Sequence, residues 1–274
     1  MKRLIFTVIT LVITANLFAQ TIKPDAALML ANVQETKNNA SINIGYGNDT
    51  TGANASKTDT TSVHTKDGGV YFGITFSRFD LGLATLIDNG SFTLSPQNQF
   101  LRYRSWKTSN VGFDVIQFGV KVNKSFKIYL SGGFDWTLIR LRDNITILRN
   151  QPVLTYRQDN IDYSKNRFSS SYLRIPLSFE FKGKENANGS RFHLVVGPEG
   201  GFLLNGRVKQ ISAENGKQKF DDTYHFTTFR YGGFARMGYG ALGLFAKYYV
   251  NDMFENSPAQ KGLKNFSFGL MLGF

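Results

Sequence analysis

From Phe126 to Leu138 the even positions include Phe126, Ile128, Leu130, Phe134, Trp136 and Leu138, while the odd ones carry Lys127, Tyr129, Ser131, Gly133, Asp135 and Thr137. A period of two residues makes a β-strand with one apolar and one polar face. The pattern returns where Leu173, Ile175, Leu177, Phe179 and Phe181 alternate with Tyr172, Arg174, Pro176, Ser178, Glu180 and Lys182. It returns again at Phe266, Phe268, Leu270, Leu272 and Phe274, set against Ser267, Gly269, Met271 and Gly273. Read along the whole chain, the pattern predicts ten strands. They lie near 41–47, 69–77, 79–87, 111–123, 126–142, 168–182, 191–207, 224–238, 241–251 and 264–274.

Charged faces such as Lys127/Asp135 or Arg174/Glu180 cannot lie against acyl chains, where a basic residue at mid-depth costs about 2–4 kcal/mol. A two-layer sandwich also alternates, with its apolar face turned inward, so connection lengths decide. The stretches after Asp49, Asp88, Asp143, Val208 and Asp252 are long and polar, whereas Ser77-Arg78, Asn123-Lys124-Ser125 and Tyr239-Gly240 are tight and 183–190 is intermediate. Alternating long and short connections predict an all-β fold: a transmembrane antiparallel up-and-down β-barrel with long outer loops and short periplasmic turns. Ten strands satisfy the pattern throughout. Eight result if Gly69 to Ile87 is one strand and 41–47 lies outside the barrel. Pro176 and Pro198 fall within strands, where each predicts a bulge or a lumen water.

The start of the chain adds an address. Lys2 and Arg3, an apolar run from Leu4 to Ile13 and Leu17-Phe18-Ala19 read as an export signal over residues 1–19. A leader over 20–40 and a barrel domain over 41–274 follow. Loss of the signal lowers the formal charge from +12 to +10, because it removes two basic residues and no acidic ones. No compact basic block accompanies this excess, so nucleic acid is excluded as a partner, and phosphorylated lipid head groups are the expected anionic neighbours. With no cysteine there is neither a disulfide nor a thiolate metal site, and the 27 Gly and 25 Phe suit aromatic strand faces over a tight interior.

The interior of so small a barrel is filled by its own side chains. The inward parity carries Asp114, Lys121, Lys127, Asp135, Arg174, Glu180, Glu199, Arg230, Arg236 and Lys247, which predicts a lumen charge network of paired ions. The sharper alternative is a narrow path for small ions or solutes. A rim hydrolase or acyltransferase is a third reading, resting on Asp221, Asp222 and His225 near Ser169, Ser170 and Ser171. Those residues form no recognised motif, so no catalytic residue is assigned. His64, His193 and His225 lack ligand spacing, and the run 48–52 lacks that of a calcium loop, so neither a metal nor a cofactor is expected. Trp136, Tyr172, Tyr231, Tyr239, Tyr248 and Phe274 are candidates for interfacial girdles, and Phe100, Tyr103 and Trp106 for a carbohydrate-stacking platform. Gly197-Pro198-Glu199-Gly200-Gly201 reads as a strand leaving room for a large lumen side chain.

Leu173-Arg174-Ile175-Pro176-Leu177, followed by 196–204 (Val-Gly-Pro-Glu-Gly-Gly-Phe-Leu-Leu), resembles the PorT-like outer-membrane β-barrel family of Bacteroidota. So do 246–254 and 264–270, the likeness running over about 111–274. The resemblance implies an integral barrel of the outer membrane in the porin-family group, one branch of which serves type IX secretion and gliding. The expected role is non-enzymatic: structural, surface-interaction or secretion-accessory. The expected partners are outer-membrane lipid and lipopolysaccharide, the barrel-assembly machinery, and secretion or surface proteins.

Overall fold

The computed structural model describes residues 69–74 and 78–273. The expected signal, leader and first strand, the run at 48–52, His64 and Phe274 lie outside the described residues. The strands are β1 (Gly69–Ile74), β2 (Phe79–Asp88), β3 (Ser109–Lys121), β4 (Phe126–Arg140), β5 (Ile145–Ile147), β6 (Tyr156–Gln158), β7 (Tyr163–Lys182), β8 (Phe192–Ser212), β9 (Gly216–Asp222), β10 (Phe229–Tyr239), β11 (Leu242–Tyr249) and β12 (Leu263–Leu272). Successive pairing runs from β2 through β3, β4, β7, β8, β10, β11 and β12 back to β2, antiparallel throughout. Among the described residues this is a closed eight-stranded barrel, with β1 and β9 added alongside β3 and β8.

The barrel therefore has the eight strands of the stated alternative and not the ten preferred from sequence. β1 and β2 do not form a hairpin, because both pair antiparallel with β3 and follow one another along it. Between Ile74↔Ile116 and Phe79↔Phe113, five steps on one side face three on the other. Arg78, read from sequence as part of a turn, is buried inside the barrel instead.

Neither proline sits at a register shift, so the bulge is not the form taken at either. Register is unshifted from Pro176↔Glu199 to Phe179↔Val196, and the ladder is only interrupted between them. Pro198 keeps its place opposite Gly233. Shifts occur instead between Asp114 and Ile116 against β4, and in β7 between Tyr163 and Lys165 and between Ser171 and Tyr172. A missing N–H donor removes a rung without inserting a residue, so it does not move the pairing.

Alternation sets the two faces. On β4 the outward side chains run Phe126, Ile128, Leu130, Phe134, Trp136 and Leu138, ending at Arg140. At about 3.3 Å per residue and a tilt near 40°, Phe126 to Leu138 rises about 30 Å, the depth of a hydrocarbon layer. Outward Leu81, Phe118, Phe202, Tyr231, Tyr239, Leu244 and Leu270 are exposed on the same belt. Short connections at 122–125, 183–191 and 240–241 lie at one end, where Gly240 takes the positive φ that the tight turn requires. Those at 89–108, 141–162, 213–228 and 250–262 lie at the other, and there β7, β8 and β9 extend beyond the apolar belt.

Candidate functional site

Inside the barrel, polar side chains meet because the inward parity of every strand faces one axis. Arg174 is wholly buried at the centre. Its Nη1 lies 2.6 Å from Asp80 Oδ2 and 3.8 Å from Asp135 Oδ1, and its Nη2 lies 2.7 Å from Asp114 Oδ1. Lys247 Nζ is 2.6 Å from Asp135 Oδ1 and 3.5 Å from Asp80 Oδ2. Arg230 Nη2 reaches Asp135 Oδ2 at 2.6 Å, and Asn110 donates to the same oxygen at 3.0 Å. Arg236 is held more loosely, 3.3 Å from Asp80 and 3.8 Å from Asp114. At such burial a charge is tolerable only when paired and hydrogen-bonded.

Glycine makes the close approach feasible at Gly112. A Cβ there would sit 2.5 Å from Arg174 Nη1 and 3.0 Å from Asp135 Oδ1. Gly201 similarly faces the Arg230 side chain, with a Cβ falling 3.2 Å from its Nε. Above the aspartates, the Arg230 guanidinium lies over the Tyr172 ring at 3.7 Å and the Tyr249 ring at 4.1 Å, and Tyr249 donates to Glu199 at 2.5 Å. Tyr172 is thus a lumen residue and not part of a girdle. Below them, toward the short turns, Glu180 takes Lys127 at 2.9 Å and His193 Nδ1 at 2.8 Å, and Arg78 stacks on Tyr129 at 4.4 Å.

Of the ten expected lumen charges, the structure brings nine into this interior: Asp114, Lys127, Asp135, Arg174, Glu180, Glu199, Arg230, Arg236 and Lys247. Lys121 shares their parity but stands exposed at the end of β3. Height along the strand, as well as parity, decides burial. Arg78, Asp80 and His193 were missed. Asp80 had a signal, since it alternates with Phe79 and Leu81 in the pattern of its neighbours.

The outer mouth is closed by a different chemistry. Leu101, Ile139, Ile145, Leu154, Phe168, Tyr224, Phe226 and Phe254 come together from loops and strand ends into a buried apolar cluster. Phe168 stacks on Phe226 at 4.7 Å and meets Tyr224 edge-on at 5.5 Å. Asp88 gathers one loop by accepting from Ser95 N and Oγ, both at 2.7 Å, and from Asn98 at 2.9 Å. Leu154 N donates to Ser257 Oγ at 3.0 Å, tying two loops together. Between this cap and Arg230 there remains a cavity of ≈ 20 Å³, lined by Thr137, Tyr172, Thr227 and Asn265 among others. It is room for about one water.

The hairpin of β5 and β6 is latched by Asp159, whose Oδ2 accepts from Thr146 at 2.5 Å and Tyr163 at 3.0 Å, with Arg157 on Oδ1 at 2.9 Å. Burial opposes the charged carboxyl, but bonds from Thr146, Arg157 and Tyr163 outweigh it and hold Asp159 below the usual carboxylate range. A lowered folded value gives stability that is complete above the ordinary unfolded value of about 3.9 and is lost as pH falls through the folded one. Hydrogen exchange across 145–158, corrected for its intrinsic pH dependence, should therefore quicken in acid. Asp159→Asn should abolish that acid sensitivity, and exchange equally pH-dependent in the variant would rule the latch out.

The rim grouping does not assemble as a catalytic set. His225 Nε2 is 2.7 Å from Gln151 O, Asp221 is engaged by Arg207, and Ser169 and Ser171 donate to Arg207 O and Asn205 O. The expected stacking platform is also dispersed. Phe100 is buried against Tyr156 with centroids 4.5 Å apart, whereas Trp106 is 89 % exposed.

Comparison with known proteins gives a family and a structural likeness. The family model described as outer membrane protein beta-barrel domain matches residues 50–255. A solved structure similar to this chain is that of Ail, the attachment invasion locus protein of Yersinia pestis, in complex with the heparin analogue sucrose octasulfate. It shows 10 % identity and a TM-score of 0.30, covering 77 % of this chain and 100 % of that one. No curated protein matches.

Proposed function

Because the chain belongs to the outer membrane protein beta-barrel domain family, we propose that it is a non-enzymatic barrel that acts by surface interaction, through the loops and hairpins at its outer end. The observation that carries this reading is the doubly closed interior: an ion-paired layer around Arg174 and an apolar cap around Phe168. A barrel filled in this way offers its outer face, not its bore, for use. The finer form of the reading is a PorT-like accessory to secretion or surface assembly in a Bacteroidota-type outer membrane, reached after cleavage of residues 1–19.

Purified full-length protein in planar bilayers should give no steady conductance. In cells, a chain lacking 145–158 should fail to complement a null strain, whereas His225→Ala should complement it fully. Stable open-channel currents would overturn the reading in favour of narrow transport, and loss of function in the His225 variant would favour a rim enzyme.

A further inference from the structure

Across four adjacent strands at the outer end, one outward-facing row is basic at every position. Arg140 on β4 lies opposite Arg167 on β7, Arg167 opposite Lys209 on β8, and Lys209 opposite Lys219 on β9. The next row places Lys165 and Lys217 on either side of Ile211. Like charges directly opposite one another destabilise a sheet. Among the described residues no carboxylate forms an ion pair with any of these six cations, and the acid on this face, Asp221, is taken by Arg207. Burial, then Arg167, Lys209, Arg140 and Lys217, depresses the Lys165 ammonium below its ordinary value. Lysines on β9 are explained by protection of a sheet edge. Arg167 and Lys209 are not, because each has a paired strand on both sides.

Height and direction identify the missing counter-charge. Arg140 follows Leu138 on the same face of β4, so the row begins where the lipid-facing belt ends, and it points sideways as that belt does. Arg104, whose N–H donates to Arg140 O at 2.8 Å, is followed two residues later by the exposed Trp106, an indole suited to a membrane interface. Four strands span about 14 Å, wide enough for more than one phosphate. The geometry points to a binding site on this row for the phosphate groups of an outer-leaflet glycolipid of the lipid A type. A soluble polyanion would meet the loop tips first; a headgroup in the bilayer plane meets this face. The inference deepens the outer-membrane reading by naming a partner of the barrel's outer rim.

The test uses the full chain in detergent micelles, with diphosphoryl lipid A and its dephosphorylated form as probes. Diphosphoryl lipid A should raise the thermal midpoint by several degrees and the dephosphorylated form should not. The Arg167→Gln/Lys209→Gln variant should melt higher than the natural chain without lipid, because repulsion is relieved. It should also bind diphosphoryl lipid A at least about tenfold more weakly. Lys219→Gln, at the exposed edge, gives the same comparison if the double variant does not fold. Equal binding by variant and natural chain would overturn the site, as would equal protection by dephosphorylated lipid or by a soluble sulfated oligosaccharide. Bilayer conductance and complementation by the chain lacking 145–158 do not depend on this row, so the site and the surface-interaction reading can fail separately.

Discussion

Replacing Arg174 by alanine should destabilise the folded barrel by about 3–5 kcal/mol, measured as equilibrium urea unfolding in lipid vesicles. The loss comes less from the ion pairs themselves than from what remains. Asp80 and Asp114, both fully buried, would lose their shortest cation contacts at 2.6 and 2.7 Å. Lys247 and Arg230 remain for Asp135 at 2.6 Å each, so that carboxylate would be little affected. Arg174→Lys should restore only part of the loss, since one ammonium cannot reproduce a fork that donates through Nε to Asp114 and through Nη1 to Asp80. Arg236→Ala, removing contacts of 3.3 and 3.8 Å, should cost less than Arg174→Ala. A loss below about 1 kcal/mol at Arg174 would show that the interior is wet enough to solvate its carboxylates.

Alternation made β4, β7 and β12 legible because each crosses the layer with an apolar outside and a polar inside. It also put most of the central charges on the right face before any pairing was known. What it could not supply was register. The Arg140–Arg167–Lys209–Lys219 row exists only because four strands are aligned, and along any one of them no more than two outward basic side chains stand together. The preference for ten strands over eight had a related cause: Ser77-Arg78 interrupts the pattern as a turn would, and only the shared pairing of β1 and β2 with β3 tells successive segments of one strand line from a hairpin. The outer cap was hidden differently. Leu101, Leu154, Phe226 and Phe254 stand singly or in apolar pairs within polar loops, and contacts such as Leu154 to Ser257 span 103 residues. No period announces a core assembled from loops.

That cap sets the second large effect. Phe168→Ala should remove about 3–5 kcal/mol from the outer cluster, because the ring is fully buried and touches Phe226, Tyr224 and Phe254. The consequence should be local. Phe226 and Phe254 belong to different loops, joined by a bridge between them, so loss of their common partner should free both and expose 213–228 and 250–262 to added protease. The bore should nevertheless stay shut. Arg174, Lys247 and the three aspartates lie on strands β2, β3, β4, β7 and β11, away from the cap, and their ion pairs do not pass through Phe168. Rapid loop cleavage with silent bilayer traces is thus the expected result for the variant. Currents appearing with Phe168→Ala alone would mean that the apolar cap is the sole seal and that the charged layer beneath it is permeable.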